Sequence, residues 1–366
     1  MNAANLQNIT KSINLILPFG IIWLVFGWLF LFIEMAATDG FNHVAAGAVD
    51  MSLPVFIFAS TGILFFGILM GFIEVFYIGK LFASKSLGKK LAFKSLLYVA
   101  SFLVIVVASY PIAASIELKV GVLDAKVWQK FASFLITWTF LSTMLQLSVS
   151  LIISLFYSEI SGHIGHKVLL QLLRGKYHQP LEERRIFMFL DMNDSTGIAE
   201  RLGHHRYFSL LKNYFRDMSS AIQKFDGEIY QYVGDEIVIS WKQATLTSSA
   251  PVLSCFFEMR SALQNRKDFY LKKFGVQPTF EAGIHCGPVT AGEIGVLKKE
   301  IIFTGDTLNA TARILGLAKN TKANLVISGF IAESLPKGDN YVLNNLGAVE
   351  LRGKKELLTV FAVAQT

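Results

Sequence analysis

Cysteine is nearly absent from this 366-residue chain, with two residues only, Cys255 and Cys286. They are too few and too far apart for a zinc cluster or a disulfide framework, and a reducing compartment suits them. Charge is scarce as well: Asp, Glu, Lys and Arg make up 17% of the residues against a hydrophobic share of 53%. A soluble chain carries roughly 25% charged residues, so part of this one is expected to lie outside water. There is no internal repeat and no low-complexity tract. No Ser-His-Asp or Cys-His arrangement is present to support nucleophilic catalysis.

The missing charges locate the apolar part. Charge-free runs lie between Lys11 and Glu34, Asp50 and Glu74, Lys94 and Glu117, and Lys130 and Glu159. About 20 helical residues cross a bilayer, so each run is read as a transmembrane helix. The first is too long for the apolar core of a cleaved signal peptide, and three similar runs follow it. Pro18, Pro54 and Pro111 fall in or near the runs, where proline is better tolerated than in soluble helices. Gly62, Gly67 and Gly71 are read as close-packing positions between helices. Glu34 and Glu74 sit near the ends of their runs, where a carboxylate reaches the interface.

Orientation follows from the basic residues. Met35 to Asp50 has no Lys or Arg, whereas Lys80, Lys85, Lys89, Lys90 and Lys94 fill the next connection. That connection and both termini are therefore expected on the cytoplasmic side of a plasma membrane, a bacterial inner membrane being the expected setting. The net charge of +7 and pI near 9.2 are assigned to juxtamembrane lysines facing anionic lipid. No basic stripe interleaved with aromatics occurs in the second half, so a nucleic-acid partner is not expected.

After Glu159 the pattern changes. Ser161 to about Gly175 reads as a continuation of the fourth helix, turning at Pro180. From Leu181 onward strands and helices alternate. Apolar Ile186–Leu190 reads as a buried strand ending at Asp191, followed by a small, polar turn and a helix. Glu228–Val233 and Ile237–Trp241 form a hairpin around Gly234-Asp235-Glu236. The β-α-β-β-α-β order predicts an α+β ferredoxin-like sheet with helices on one face. The expected organisation is a four-helix transmembrane domain (1–160), a coupling helix and linker (161–182) and a catalytic domain (183–366).

The residues that carry chemistry collect in this last part. Asp191 ends one strand, and Asp235 lies at the tip of the hairpin that the topology places beside it. Two carboxylates on neighbouring strand ends suit one or two Mg²⁺ or Mn²⁺ ions with positions left open for phosphate. The turn and helix N-terminus at Asp194, Ser195, Thr196 and Gly197 offer amides to phosphate oxygens. Asn309 and Arg313, four apart, share one helix face. Arg352-Gly-Lys354 adds cations in a turn before the last strand.

Five segments taken together, Phe-Leu-Asp191-Met-Asn-Asp-Ser-Thr, Tyr-Val-Gly-Asp235, Gly-Ile-His-Cys-Gly-Pro288, Gly305-Asp-Thr-Leu-Asn309-Ala-Thr-Ala-Arg313 and Leu-Arg-Gly-Lys354, resemble the class III adenylate/guanylate cyclase catalytic domain. The resemblance spans Glu183 to Ala364 in the right order. It implies a homodimer with active sites at the interface, converting ATP to cyclic AMP and pyrophosphate. Asp191, Met192 and Asp235 would be the metal positions of one protomer, for two ions. The other protomer would supply Asn309 toward the ribose, Arg313 toward the α-phosphate and Lys354 toward the terminal phosphates. Asp194 to Gly197 and Gly234 would lie around the nucleotide.

The base-selecting positions depart from the family pattern. Gln231 stands where ATP-selective members usually carry Lys and guanylate cyclases Glu, and Ile302 stands where Asp or Thr is usual. Asp194 replaces a frequent Gly. ATP is favoured because the Glu is missing; a guanylate cyclase, or a membrane receptor with a decayed cyclase module, are the alternatives.

Overall fold

The computed structural model describes residues 3–37, 49, 52–81, 87–336, 341–350 and 357–365. The chain divides into two compact units, Met1–Leu170 and Gln171–Thr366.

In the first unit, helix α1 is Ala3–Ala37 and α2 is Leu53–Ile73, which runs on through a π-helical turn at Glu74–Ile78. Helix α3 is Leu87–Leu118, α4 is Ala125–Phe134 and α5 is Trp138–Ile164. Among the described residues, four stretches are long and apolar enough to cross a membrane: Ile13–Ile33, Leu53–Ile78, Gly88–Leu118 and Trp138–Ile164. Gly67 and Gly71 let α2 approach α1. A Cβ on Gly67 would meet the Gly20 Cα at 2.9 Å, and one on Gly71 would meet the Phe19 Cβ at 3.0 Å. Gly62 meets nothing within 4 Å, so it is not the packing position expected of it.

Three further expectations change here. The fourth apolar run is split, because Asp124 caps α4 by accepting from the Lys126 amide at 2.8 Å and Thr137 caps α5 by accepting from the Phe140 amide at 3.3 Å. The third span begins before Lys94 instead of after it. Lys90 pairs with Glu159 at 2.9 Å, and Lys94 pairs with Glu74. Paired in this way, a lysine tolerates an apolar setting. Glu74 is therefore not an interfacial carboxylate: it is 2% exposed and also accepts from the Tyr98 hydroxyl at 2.9 Å. The side chains of Glu34, Lys80 and Lys85 lie outside the described residues.

The fourth helix does not continue to Gly175. Helix α5 stops at Gly165, whose φ of 95° favours glycine, and α6 (His166–Leu173) starts anew.

The second unit holds an eight-stranded sheet. Its elements are β1 (Leu181–Met192), α7 (Ser195–Lys224), β2 (Glu228–Val233), β3 (Glu236–Lys242), α8 (Ala250–Asn265), α9 (Lys267–Phe274), β4 (Phe280–Ile294), β5 (Glu300–Thr304), α10 (Asp306–Thr321), β6 (Leu325–Ser328), α11 (Gly329–Glu333), β7 (Tyr341–Glu350) and β8 (Leu357–Gln365). The strand order is β2-β3-β1-β4-β6-β8-β7, with β5 on β4. Strands β2, β3, β1 and β4 are antiparallel neighbours, with α7 and α8–α9 as crossovers, so the ferredoxin-like core is present.

Strand β1 alternates between two cores. Ile186, Met188, Leu190 and Met192 pack with Leu210, Tyr214 and Met218 of α7 and Phe256 and Met259 of α8. Phe187 and Phe189 point the other way, with Val238, Val289 and Leu315. Leu315 belongs to α10, so helices cover both faces and the one-sided layering expected from sequence is incomplete. The period of two puts Asp191 on the α10 face with Phe187 and Phe189. Strand β4 is continuous through Cys286-Gly287-Pro288, because Arg184 to Ile186 of β1 pair with all three. Cys255 and Cys286 are both buried.

Candidate active site

Residue Asp191 sits one position before the end of β1, cross-strand from Glu281 of β4. Asp235 occupies a two-residue turn, Gly234-Asp235, between Val233 and its partner Glu236. Gly234 has φ 64°, which this tight turn requires. The two carboxylates are close enough that Asp191 raises the pKa of Asp235. Burial is the larger cause of that rise, and the nearby Ser195 hydroxyl opposes it. Asp235 Oδ2 is buried with no hydrogen-bond partner.

An orphaned buried carboxylate oxygen beside a second carboxylate fits a hard divalent cation. Among the described residues no group of three or more His, Cys, Asp and Glu side chains is placed to hold a metal ion. Two carboxylates leave most of the coordination sphere to other oxygens, as a substrate-binding metal requires. Glu236 and Glu281 border the pair. Burial and the Asp191 charge raise the pKa of Glu236, and burial raises that of Glu281 against the pull of Lys319.

Lys319, near the C-terminus of α10, donates to Asp191 Oδ2. Sequence reasoning missed it, and also missed Glu236 and Glu281. No motif marks these residues; only the alternation of β1, which turns Asp191 toward α10, could have directed attention to that helix.

The turn between β1 and α7 has a clear local cause. Asp194 has φ 53° and ψ 33°, the left-handed region that Gly, Asn and Asp tolerate best. Asp can therefore replace the Gly frequent here. Its carboxylate folds back over Gly197, where a Cβ would collide with Asp194 Oδ1, and accepts from Arg201 at 3.1 Å. Asn193 anchors the turn to β4 by donating its amide to the Thr279 carbonyl at 2.9 Å. Ser195 and Thr196 open α7 at this point.

Asn309 and Arg313 lie on α10, Asn309 exposed and Arg313 half-buried. Gln231 is exposed on β2 beside a bulge, and Ile302 is half-buried on β5. Their neighbours tie the two strands together: the Phe303 amide donates to the Tyr230 hydroxyl at 3.2 Å, with ring centroids 4.9 Å apart. Lys354 and Arg352 lie outside the described residues. His285 is buried on β4 opposite Phe187.

The profile of the family "Adenylate and Guanylate cyclase catalytic domain" matches residues 177–364. The chain belongs to this family. Its cyclase domain is similar to adenylate cyclase 2 of Rhizobium meliloti (strain 1021), at 32% identity over 209 residues, covering 57% of this chain and 58% of that protein. Adenylate cyclase 1 of the same organism is 25% identical over 56% of this chain and 29% of its own length. The chain thus spans less than two thirds of either relative. A bacterial light-regulated adenylyl cyclase has the same fold, with a TM-score of 0.54 at 18% identity, over 63% of this chain and 68% of that one.

The raised Asp235 gives this cyclase domain a pH signature. A carboxylate whose folded pKa exceeds its unfolded value destabilises the metal-free fold as pH rises through that range. A divalent metal bound beside Asp235 would remove the penalty by favouring the ionised form. Mn²⁺ should therefore raise the thermal midpoint of the catalytic unit more near neutral pH than near about pH 5. Scanning calorimetry at both pH values, with and without Mn²⁺, checks this; an equal shift would contradict it.

Proposed function

We propose that the chain is a membrane-embedded, homodimeric adenylate cyclase with its catalytic domain in the cytoplasm. The observation that carries the reading is the Asp191–Asp235 pair with its orphaned oxygen. Asp191, Met192 and Asp235 would hold two Mg²⁺ or Mn²⁺ ions, Met192 as the residue adjoining Asp191. When bound, the ions would supply positive charge to the triphosphate and lower the cost of ionising the 3′-hydroxyl. The amides of Asp194–Gly197 would take phosphate oxygens at the start of α7.

The length of α10 supports a shared site. Asn309 is ten residues before Lys319, about 15 Å along the axis at 1.5 Å per residue. Lys319 contacts Asp191 of its own chain. That separation from Asp191 supports the reading in which Asn309 and Arg313 serve the Asp191 of a second copy. There Asn309 would orient the ribose, Arg313 would balance charge growing on the α-phosphate, and Lys354 would hold the terminal phosphates. The chemistry is in-line attack of the 3′-oxygen on the α-phosphorus, with pyrophosphate as leaving group.

For the base, Lys only donates and Glu only accepts, whereas the Gln231 amide does both. The Ile302 side chain offers no hydrogen bond, so strong rejection of the wrong base is not built in. ATP is favoured because Glu is missing and because of the likeness to adenylate cyclase 2. The preference over GTP should be modest, about 10- to 100-fold in kcat/KM. Cyclic AMP and cyclic GMP formed from equimolar ATP and GTP with Mn²⁺ test it. A GTP preference would make the chain a guanylate cyclase, and no product of either kind would make it a receptor with a silent module.

A further inference from the structure

The Lys319 ammonium stands where a cation is needed. It is bound to Asp191 Oδ2, and the charges of Asp235 and Glu236 act on it as well. Asp191 is largely enclosed, its side chain 16% exposed, while the Lys319 side chain is 48% exposed. One partner is thus fixed at the strand end, and the other is a flexible stem with room to withdraw into solvent. Helix α10 holds the stem in place, because Ile314, Leu315 and Ala318 are buried beside it.

We infer that Lys319 is the internal counter-cation of the metal site, and that metal loading is an exchange in which the divalent ion displaces its ammonium from Asp191. The inference rests on the metal-site reading above. Without metal, a carboxylate pair at this spacing repels itself, and Lys319 offsets the repulsion. A divalent ion and the ammonium cannot both occupy Asp191 Oδ2, so the lysine weakens metal binding by the strength of its own contact. Lys319 thereby keeps the metal-free fold stable and sets the concentration of metal at which the site fills. In the filled site the freed ammonium has Glu236 within its electrostatic reach.

The exchange is tested by titrating Mn²⁺ into the full chain in lipid nanodiscs and counting free ion by electron paramagnetic resonance. Lys319→Met should bind Mn²⁺ about tenfold more tightly than wild type, a partly exposed charge-assisted contact being worth about that factor. Lys319→Gln, which keeps a polar end, should show the same tightening. Lys322→Met removes an equal charge from the end of the same helix and should leave affinity at the wild-type value. Without metal, both Lys319 variants should melt below wild type, and saturating Mn²⁺ should close the gap. Unchanged or weaker binding in both Lys319 variants would overturn the inference, as would equal tightening by Lys322→Met. Asp235→Asn separates the two readings. If it leaves Mn²⁺ binding intact, the metal site itself is misassigned and the inference falls with it; if it abolishes binding while the Lys319 variants match wild type, the exchange alone fails.

Discussion

Asp191→Ala and Arg313→Ala should each lower cyclic nucleotide synthesis by at least about 1,000-fold, since the first removes a carboxylate proposed to hold the metal ions and the second the guanidinium proposed to balance charge on the reacting phosphate. Asp191 is mostly enclosed at a strand end and Arg313 lies half-buried on α10, so neither change empties the core. Co-expression makes the result specific. In a two-fold dimer with both sites at the interface, a heterodimer of the two variants has one site built from undamaged halves and one carrying both lesions. Random pairing makes about half of the dimers mixed, so activity should recover to about a quarter of wild type. Failure to recover, with heterodimers isolated by two affinity tags, would mean that each chain completes its own site.

Gly283→Ala should sharply destabilise the catalytic unit. Gly283 lies in β4, paired with Phe189 of β1 and Val326 of β6, directly beneath α10. An added Cβ there would overlap the Leu315 backbone nitrogen and come within 2.9 Å of the Ile314 carbonyl carbon and the Leu315 Cα. These are helix backbone atoms that no rotamer change can move. Relief requires α10 to lift off the sheet, and overpacking of this kind costs about 3 kcal/mol. For a unit of this size the thermal midpoint should fall by roughly 6–12 °C. Activity should fall with it, because α10 carries Asn309, Arg313 and Lys319 together. Gly316→Ala on the same helix is the contrast: nothing lies within 4 Å of its would-be Cβ, and it should hold or gain stability as an ordinary helix substitution. Calorimetry of the two side by side decides the matter, and similar midpoints would contradict the close approach.

The parts legible in the sequence were those set by local periodicity. Ile186–Leu190 announced a buried strand, Gly234-Asp235 a tight turn, and the hairpin order placed Asp235 near Asp191; each follows from backbone preferences within a few residues. Legibility ended where one segment answers to another far along the chain. Lys94 looked like a loop lysine because its partner Glu74 is twenty residues away. Lys319 drew no attention because its partner, Asp191, is far away along the chain. The apolar run from Lys130 to Glu159 looked like one helix because hydropathy does not register capping, yet Asp124 and Thr137 each start their own. Gly165 was overlooked for a related reason, since a lone glycine in a helical pattern declares itself only through its backbone angle. Layering on both faces of the sheet was hidden as well: strands covered on both sides read as plain apolar runs, and β1 is one.

Both native thiols are shielded from reagents. Cys255 is fully buried and its pKa is pushed up to about 12, by burial first and by the Glu258 charge second; Cys286 is 5% exposed and raised as well, chiefly by burial. Maleimides and methanethiosulfonates attack through the thiolate, so the folded protein should be nearly silent to them. A single cysteine introduced at the fully exposed Leu297, at the tip of the β4–β5 hairpin, would then be the sole labelled position. Spin labels placed there could report the spacing between two copies of the chain without removing either native thiol.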